Sequence, residues 1–157
     1  MSTLLIEGGR RLSGEVAVEG NKNAALPLMA AALLTTEECV LENVPRISDV
    51  EVMARLLVDV GAEVDGVGTT TLRIRCPKVT KDEPDPMLVG RLRGSVLLLS
   101  PLLARLGRAR LAPPGGDFPA RRTIATHLEA LVSMGARIME GPGHPLEVPE
   151  GLKPTSI

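Results

Sequence analysis

Val60-Gly61-Ala62-Glu63-Val64 returns 74 residues later as Met134-Gly135-Ala136-Arg137-Ile138. In both places a run with helical spacing stops at a glycine and gives way to a short alternating segment. Upstream of the first copy, Val52, Met53, Leu56, Leu57 and Val60 fall on one helical face. Ser48-Asp49-Val50-Glu51 ahead of them reads as a capping box with Ser48 as the cap. Downstream, Glu63-Val64 and Leu72 to Cys76 form a hairpin around Gly66 to Thr70. Further upstream, Ala24 to Leu34 reads as a buried helix closed by Thr35-Thr36, and Cys39-Val40-Leu41 as a strand. Pro27 is expected in the first turn, so that helix should start close to Asn23. The order is helix, strand, helix, strand, strand.

The second half repeats this order. Ser95 to Leu106 is an apolar helix expected to kink at Pro101, Arg108 to Leu111 a strand, and Thr123 to Met134 a helix. Arg137 to Met139 with Leu146 to Val148 makes the second hairpin. One unit of about 70 residues thus occurs twice, an α/β repeat whose copies pack on each other with sheets outside and helices inward or the reverse. Ahead of the repeats, Leu4 to Val18 reads as two short strands around a turn at Gly8-Gly9, and Gly20 ends that stretch. Glu147 to Ile157 reads as the cut end of a longer chain.

Composition narrows the function classes. The 157 residues carry 18 basic and 19 acidic side chains, a net charge of −1, and are 44% hydrophobic. Such a chain can bury a core, and it lacks the basic face that nucleic acid or a membrane surface attracts. Phe118 is the single aromatic residue, which excludes stacking platforms for bases. Cys39 and Cys76 make neither a disulfide framework nor a four-ligand zinc site, and His127 and His144 have no partners at ligand spacing. No metal or other cofactor is expected. With no signal peptide after Met1 and no long apolar run, a cytoplasmic globular protein is expected. Basic residues are mostly arginine, 14 against 4 lysines. That bias reflects either a GC-rich genome or planar anion recognition.

Three loops carry cations and glycines. Gly20-Asn21-Lys22-Asn23 turns a strand into a helix, so Lys22 places a point charge beside helix N-terminal amides, a natural phosphate or carboxylate site. Its bland alternative is a solvated lysine in a turn. Arg91-Leu92-Arg93-Gly94-Ser95 also leads into a helix; its arginines either grip an anion bidentately or are a surface pair. Pro113-Pro114-Gly115-Gly116-Asp117-Phe118-Pro119-Ala120-Arg121-Arg122 has a stiff beginning and a permissive tip. It reads either as a lid carrying an acid and two arginines or as a plain connection with Asp117 capping a turn. His127, one turn into the next helix, reads as a satisfied or exposed histidine rather than a catalyst.

These loops, with Gly8-Gly9, Leu12-Ser13-Gly14-Glu15-Val16, Gly20-Asn21-Lys22-Asn23-Ala24-Ala25-Leu26-Pro27, Leu33-Leu34, Asn43-Val44-Pro45, Gly61-Ala62 and Gly115-Gly116, resemble the N-terminal part of a known family. It is that of the UDP-N-acetylglucosamine enolpyruvyltransferases, the 1-carboxyvinyltransferases of peptidoglycan synthesis. The sister enzymes that make enolpyruvylshikimate phosphate carry a different lysine motif. The resemblance implies an inside-out α/β barrel of two domains, each of three βαβαββ units. Residues 1–20 would be strands of the second domain, 21–79 the first unit and 80–157 the second unit, with the third unit and the rest of the enzyme missing.

The implied reaction transfers the enolpyruvyl group of phosphoenolpyruvate to the 3′-hydroxyl of UDP-N-acetylglucosamine. The hydroxyl adds to C2, C3 is protonated, and phosphate leaves a tetrahedral intermediate, with no metal required. By motif match Lys22 binds the phosphoenolpyruvate anion, Asn23 holds substrate near the reacting centre, Arg93 touches the nucleotide sugar and phosphate region, and Arg122 closes onto phosphoenolpyruvate. Asp117 stands where most members have cysteine and becomes the expected proton donor. Fosfomycin, which alkylates that thiol, should then not inactivate the protein. Thr123-Ile124-Ala125-Thr126-His127 replaces the usual Pro-Val-Asp-Leu-His, so the resemblance does not carry over the uridine contacts. A piece of this length should be inactive by itself. The rival expectation is a short non-enzymatic protein that binds a nucleotide sugar or a protein partner.

Overall fold

A computed structural model describes residues 3–115, 123–143 and 145–155. The second helix ends the way its repeat motif requires. Helix α2 (Ser48–Asp59) has Gly61 at φ 108°, with Ala62 N–H donating to the Leu57 carbonyl at 2.9 Å and Gly61 N–H to Val58 at 3.0 Å. This is the paired hydrogen bonding of a Schellman motif, which needs a left-handed residue after the cap. Helix α5 (Ala125–Ser133) ends identically: Gly135 at φ 103°, Ala136 N–H to Leu131 at 3.0 Å, Gly135 N–H to Val132 at 2.9 Å. The recurring sequence is therefore a recurring helix stop that aims the chain into a strand.

Around these stops the two halves build the same sheet. Strands β1 (Cys39–Leu41), β2 (Glu63–Asp65) and β3 (Leu72–Arg75) pair antiparallel in the order β1-β3-β2, with Ile74 opposite both Cys39 and Val64. Strands β4 (Arg108–Ala109), β5 (Arg137–Ile138) and β6 (Leu146–Glu147) pair in the order β4-β6-β5, with Leu146 opposite Ala109 and Ile138. Alternation decides which face is wet. Leu72 and Ile74 are fully buried, whereas Arg73 and Arg75, which alternate with them, are exposed.

The helices lie inward. Helix α1 (Lys22–Ala31) continues as a 3₁₀ turn over Ala32–Leu34, and α4 (Leu99–Leu106) is preceded by a 3₁₀ segment over Arg93–Leu98. Met29, Leu33, Met53, Leu56, Leu57, Leu98, Leu99, Leu102 and Leu103 meet in one core that joins both halves. Arg105 on α4 stitches them further, its guanidinium donating to the carbonyls of Leu33, Thr35, Cys76 and Pro77.

Several expectations need correction. Ser48 does not cap α2. The carbonyl of Ile47 already accepts from Val50 and Glu51, so Ile47 is the cap and Ser48 lies inside the helix. Pro27 sits in the second turn of α1, because that helix begins at Lys22 with Asn21 as cap. With no N–H at Pro27, the Asn23 carbonyl goes without the i→i−4 bond from that position. The chain around Pro101 changes from 3₁₀ to α winding at Leu98–Leu99, which puts the proline in the first α-turn. A four-residue helix α3 (Pro86–Val89), capped by Asp85 onto Met87 N–H, had no counterpart in the sequence reading. The strands expected between Leu4 and Val18 are absent. Residues 3–20 are irregular, and Leu4, Leu5, Ile6, Leu12, Val16 and Val18 are exposed, because no described strand offers a ladder partner.

Candidate functional site

Helix α1 begins at a tightly built turn. A Cβ on Gly20 would fall 1.7 Å from the carbonyl oxygen of Asn43, and Gly20 N–H donates to Asn43 Oδ1 at 3.1 Å. Asn43 itself takes φ 55°, a left-handed setting that asparagine tolerates. From this anchor Asn21 turns in as the cap, its side chain accepting from Asn23 N–H at 2.7 Å. Lys22 and Asn23 thus occupy the first helical turn, where the backbone dipole favours anions.

Two other elements converge on that turn. The first turn of α2 brings Asp49, whose Oδ2 lies 2.9 Å from Lys22 Nζ. The 3₁₀ segment brings Arg93 and Gly94, and a Cβ on Gly94 would stand 3.0 Å from Leu26 Cδ1 of α1. The arginine loop thus packs directly against the lysine helix at Gly94. Between them opens a cleft of about 470 Å³ lined by Lys22, Asn23, Leu26, Pro27, Asp49, Arg91, Leu92, Arg93, Gly94, Val96, Leu97 and His127.

The lining is chemically one-sided. Among the described residues of the wall, Lys22, Arg91 and Arg93 supply positive charge, His127 an imidazole, and Asp49 the one carboxylate. Such a surface is able to hold a dianionic group through several cations at once, with Lys22 as a point charge and the arginines as planar forks. Among the described residues no group of three His, Cys, Asp or Glu side chains could hold a metal ion, and no helix is long and apolar enough to cross a membrane.

Of the sequence-predicted residues, Lys22, Asn23 and Arg93 come together here. Asp117 and Arg122 lie outside the described residues. Two wall residues were missed. His127, read as bland, lies on the cleft wall because the first turn of α5 reaches it. Asp49 looked like part of a helix start; its sequence neighbours carry no trace of Lys22, 27 residues away. Arg91 was legible as the partner of Arg93 in the loop.

Known proteins resemble this chain along most of its length. The profile of the EPSP synthase (3-phosphoshikimate 1-carboxyvinyltransferase) family matches residues 6–156. The UDP-N-acetylglucosamine 1-carboxyvinyltransferase of Bradyrhizobium diazoefficiens is 48% identical over 134 residues, which cover 85% of this chain and 31% of that protein. UDP-N-acetylglucosamine 1-carboxyvinyltransferase 1 of Symbiobacterium thermophilum is 45% identical over 158 residues, covering 98% of this chain and 36% of the relative. Among solved structures, the enolpyruvyl transferase NikO from Streptomyces tendae superposes with a TM-score of 0.75 at 27% identity, over 94% of this chain and 32% of that one. The chain spans about a third of the length of the curated relatives it matches.

Proposed function

The chain belongs to the EPSP synthase family, with part of its inside-out α/β fold, and we propose that it is the N-terminal portion of a UDP-N-acetylglucosamine 1-carboxyvinyltransferase. The observation that carries this reading is the cleft in which Lys22, Arg91, Arg93 and His127 surround the N-terminus of α1. Relatives of that name at 45–48% identity support the choice of acceptor.

In this reading residues 1–20 serve the second domain, 21–79 form the first unit and 80–157 the second. Lys22 and Arg93 neutralise the phosphate and carboxylate of phosphoenolpyruvate, and Asn23 holds substrate beside them. The 3′-oxygen of UDP-N-acetylglucosamine bonds to C2, and Asp117 gives its proton to C3. The C2–O bond to phosphate then breaks, the departing phosphate takes up the proton of the 3′-hydroxyl, C3 returns a proton to the Asp117 carboxylate, and the enolpyruvyl ether and inorganic phosphate remain. Arg122 draws charge onto the transferring group. The step would stand at the start of peptidoglycan synthesis in the cytoplasm, on which cell shape and division depend.

Phosphate release is the test. This chain is mixed with phosphoenolpyruvate and UDP-N-acetylglucosamine, alone and joined to the remaining two-thirds of the Bradyrhizobium relative. We expect release only from the joined protein. Nucleotide-sugar binding without release from the joined protein would instead favour a non-enzymatic binding module.

A further inference from the structure

Three donors gather on one backbone carbonyl beside the cleft. The carbonyl of Val89, at the end of α3, accepts from three places: Leu92 N–H at 3.2 Å, Gly115 N–H at 3.1 Å and Ser95 Oγ–H at 3.4 Å. Ser95 is fully buried and is the one buried polar side chain among the described residues. A hydroxyl with no exposure has no water to fall back on, so Val89 is its partner within the fold. Gly115 arrives from the other direction, after Pro113 and Pro114 have stiffened the chain leaving the second sheet. It packs so closely that a Cβ would overlap the Gly90 carbonyl oxygen, 1.5 Å away.

Arg91 and Arg93 lie inside the segment these bonds bracket, between the Val89 carbonyl and the Ser95 hydroxyl. Both arginines line the cleft. We propose that Ser95 and Gly115 are positioning residues for the anion site: by meeting on the Val89 carbonyl they fix the turn that presents Arg91 and Arg93, and they hold that turn against residue 115 of the second sheet's outgoing chain. Neither residue touches the anion. Each acts through the backbone between Val89 and Ser95. The inference rests on the anion-binding reading above but makes its own demand, that a change at 115 is felt at 91 and 93.

The test uses this chain labelled with ¹⁵N and inorganic phosphate as probe. Ser95→Ala and Gly115→Ala are each expected to move the Nε–Hε resonances of Arg91 and Arg93 before any phosphate is added. Both are expected to weaken phosphate binding at least five-fold. Ser95→Thr keeps the hydroxyl and should return both readouts to those of the parent, a rescue that a purely space-filling role for Ser95 would not show. Unmoved arginine resonances in both alanine variants, or failure of Ser95→Thr to restore them, overturns the proposal. A parent chain that takes up no phosphate overturns the anion-site reading instead, and the resonances recorded without phosphate still decide the coupling.

Discussion

The guanidinium of Arg105 donates to the carbonyl of Leu33 at 2.7 Å, across 72 residues of sequence. With its other bonds to Thr35, Cys76 and Pro77 it satisfies carbonyls at the end of the first helical run and at the end of the first sheet. One side chain of the second half thereby closes two loose ends of the first. Arg105→Ala is expected to lower unfolding free energy by about 2–3 kcal/mol, the range for hydrogen bonds to a partly buried charge. Arg105→Lys, without a fork, should recover less than half. Urea unfolding of the three proteins checks both values.

Gly61 and Gly135 share a left-handed backbone but not their surroundings. A Cβ on Gly61 would stand 2.7 Å from the Lys78 carbonyl, while one on Gly135 meets nothing nearer than 3.9 Å. Gly135→Ala should cost about 1 kcal/mol, the conformational term alone, and Gly61→Ala at least about 2 kcal/mol. Equal losses in thermal or urea unfolding would contradict the packing difference.

Lys22 and Asp49 form a pair of partly exposed charges, with side chains 54% and 33% accessible. Removing the acid frees the ammonium for an incoming anion, so Asp49→Asn should tighten phosphate binding by roughly two- to five-fold, the scale of an exposed pair. Lys22→Ala should abolish binding, and turnover in the joined protein with it. Calorimetric titration with phosphate measures the first effect and phosphate release the second.

Burial raises the pKa of the Cys76 thiol above 9.0; the nearby Arg105 charge pulls it down and Glu63 adds to the rise. A native thiol held protonated stabilises the fold fully below the unfolded value and loses that contribution as pH climbs through the folded one. Stability should therefore fall above about pH 9, and Cys76→Ala should flatten that alkaline decline. Half-buried Cys39 should react with a thiol reagent at pH 8 in the folded chain while Cys76 reacts only on unfolding, as a mass-resolved alkylation time course would reveal.

By the sequence resemblance, Asp117 stands where most members of the family carry the cysteine that fosfomycin alkylates. Fosfomycin should leave the joined protein active and unmodified, and Asp117→Cys should make it susceptible. An adduct on the parent's 113–122 peptide in mass spectra would remove Asp117 from its proposed role.

The repeat is legible in local pattern. The Gly61 and Gly135 stops, the helical spacing ahead of them and the alternation behind them are local features, and local hydrogen bonding enforces them. The sequence also marked Lys22 and Arg93, because cations beside helix starts are readable within a few residues, while Asn23 entered by its motif match to the family. Tertiary structure alone decided the rest. The strands expected between Leu4 and Val18 do not form, since alternation supplies a face but not a partner. Asp49 and His127 joined the cleft only when α1, α2 and α5 were brought to one place. The Val89 carbonyl, with donors 3, 6 and 26 residues downstream, belongs to no motif. Its partners are set by the packing of two halves, and a buried hydroxyl and a glycine without room for a side chain are the only traces that packing leaves in the sequence.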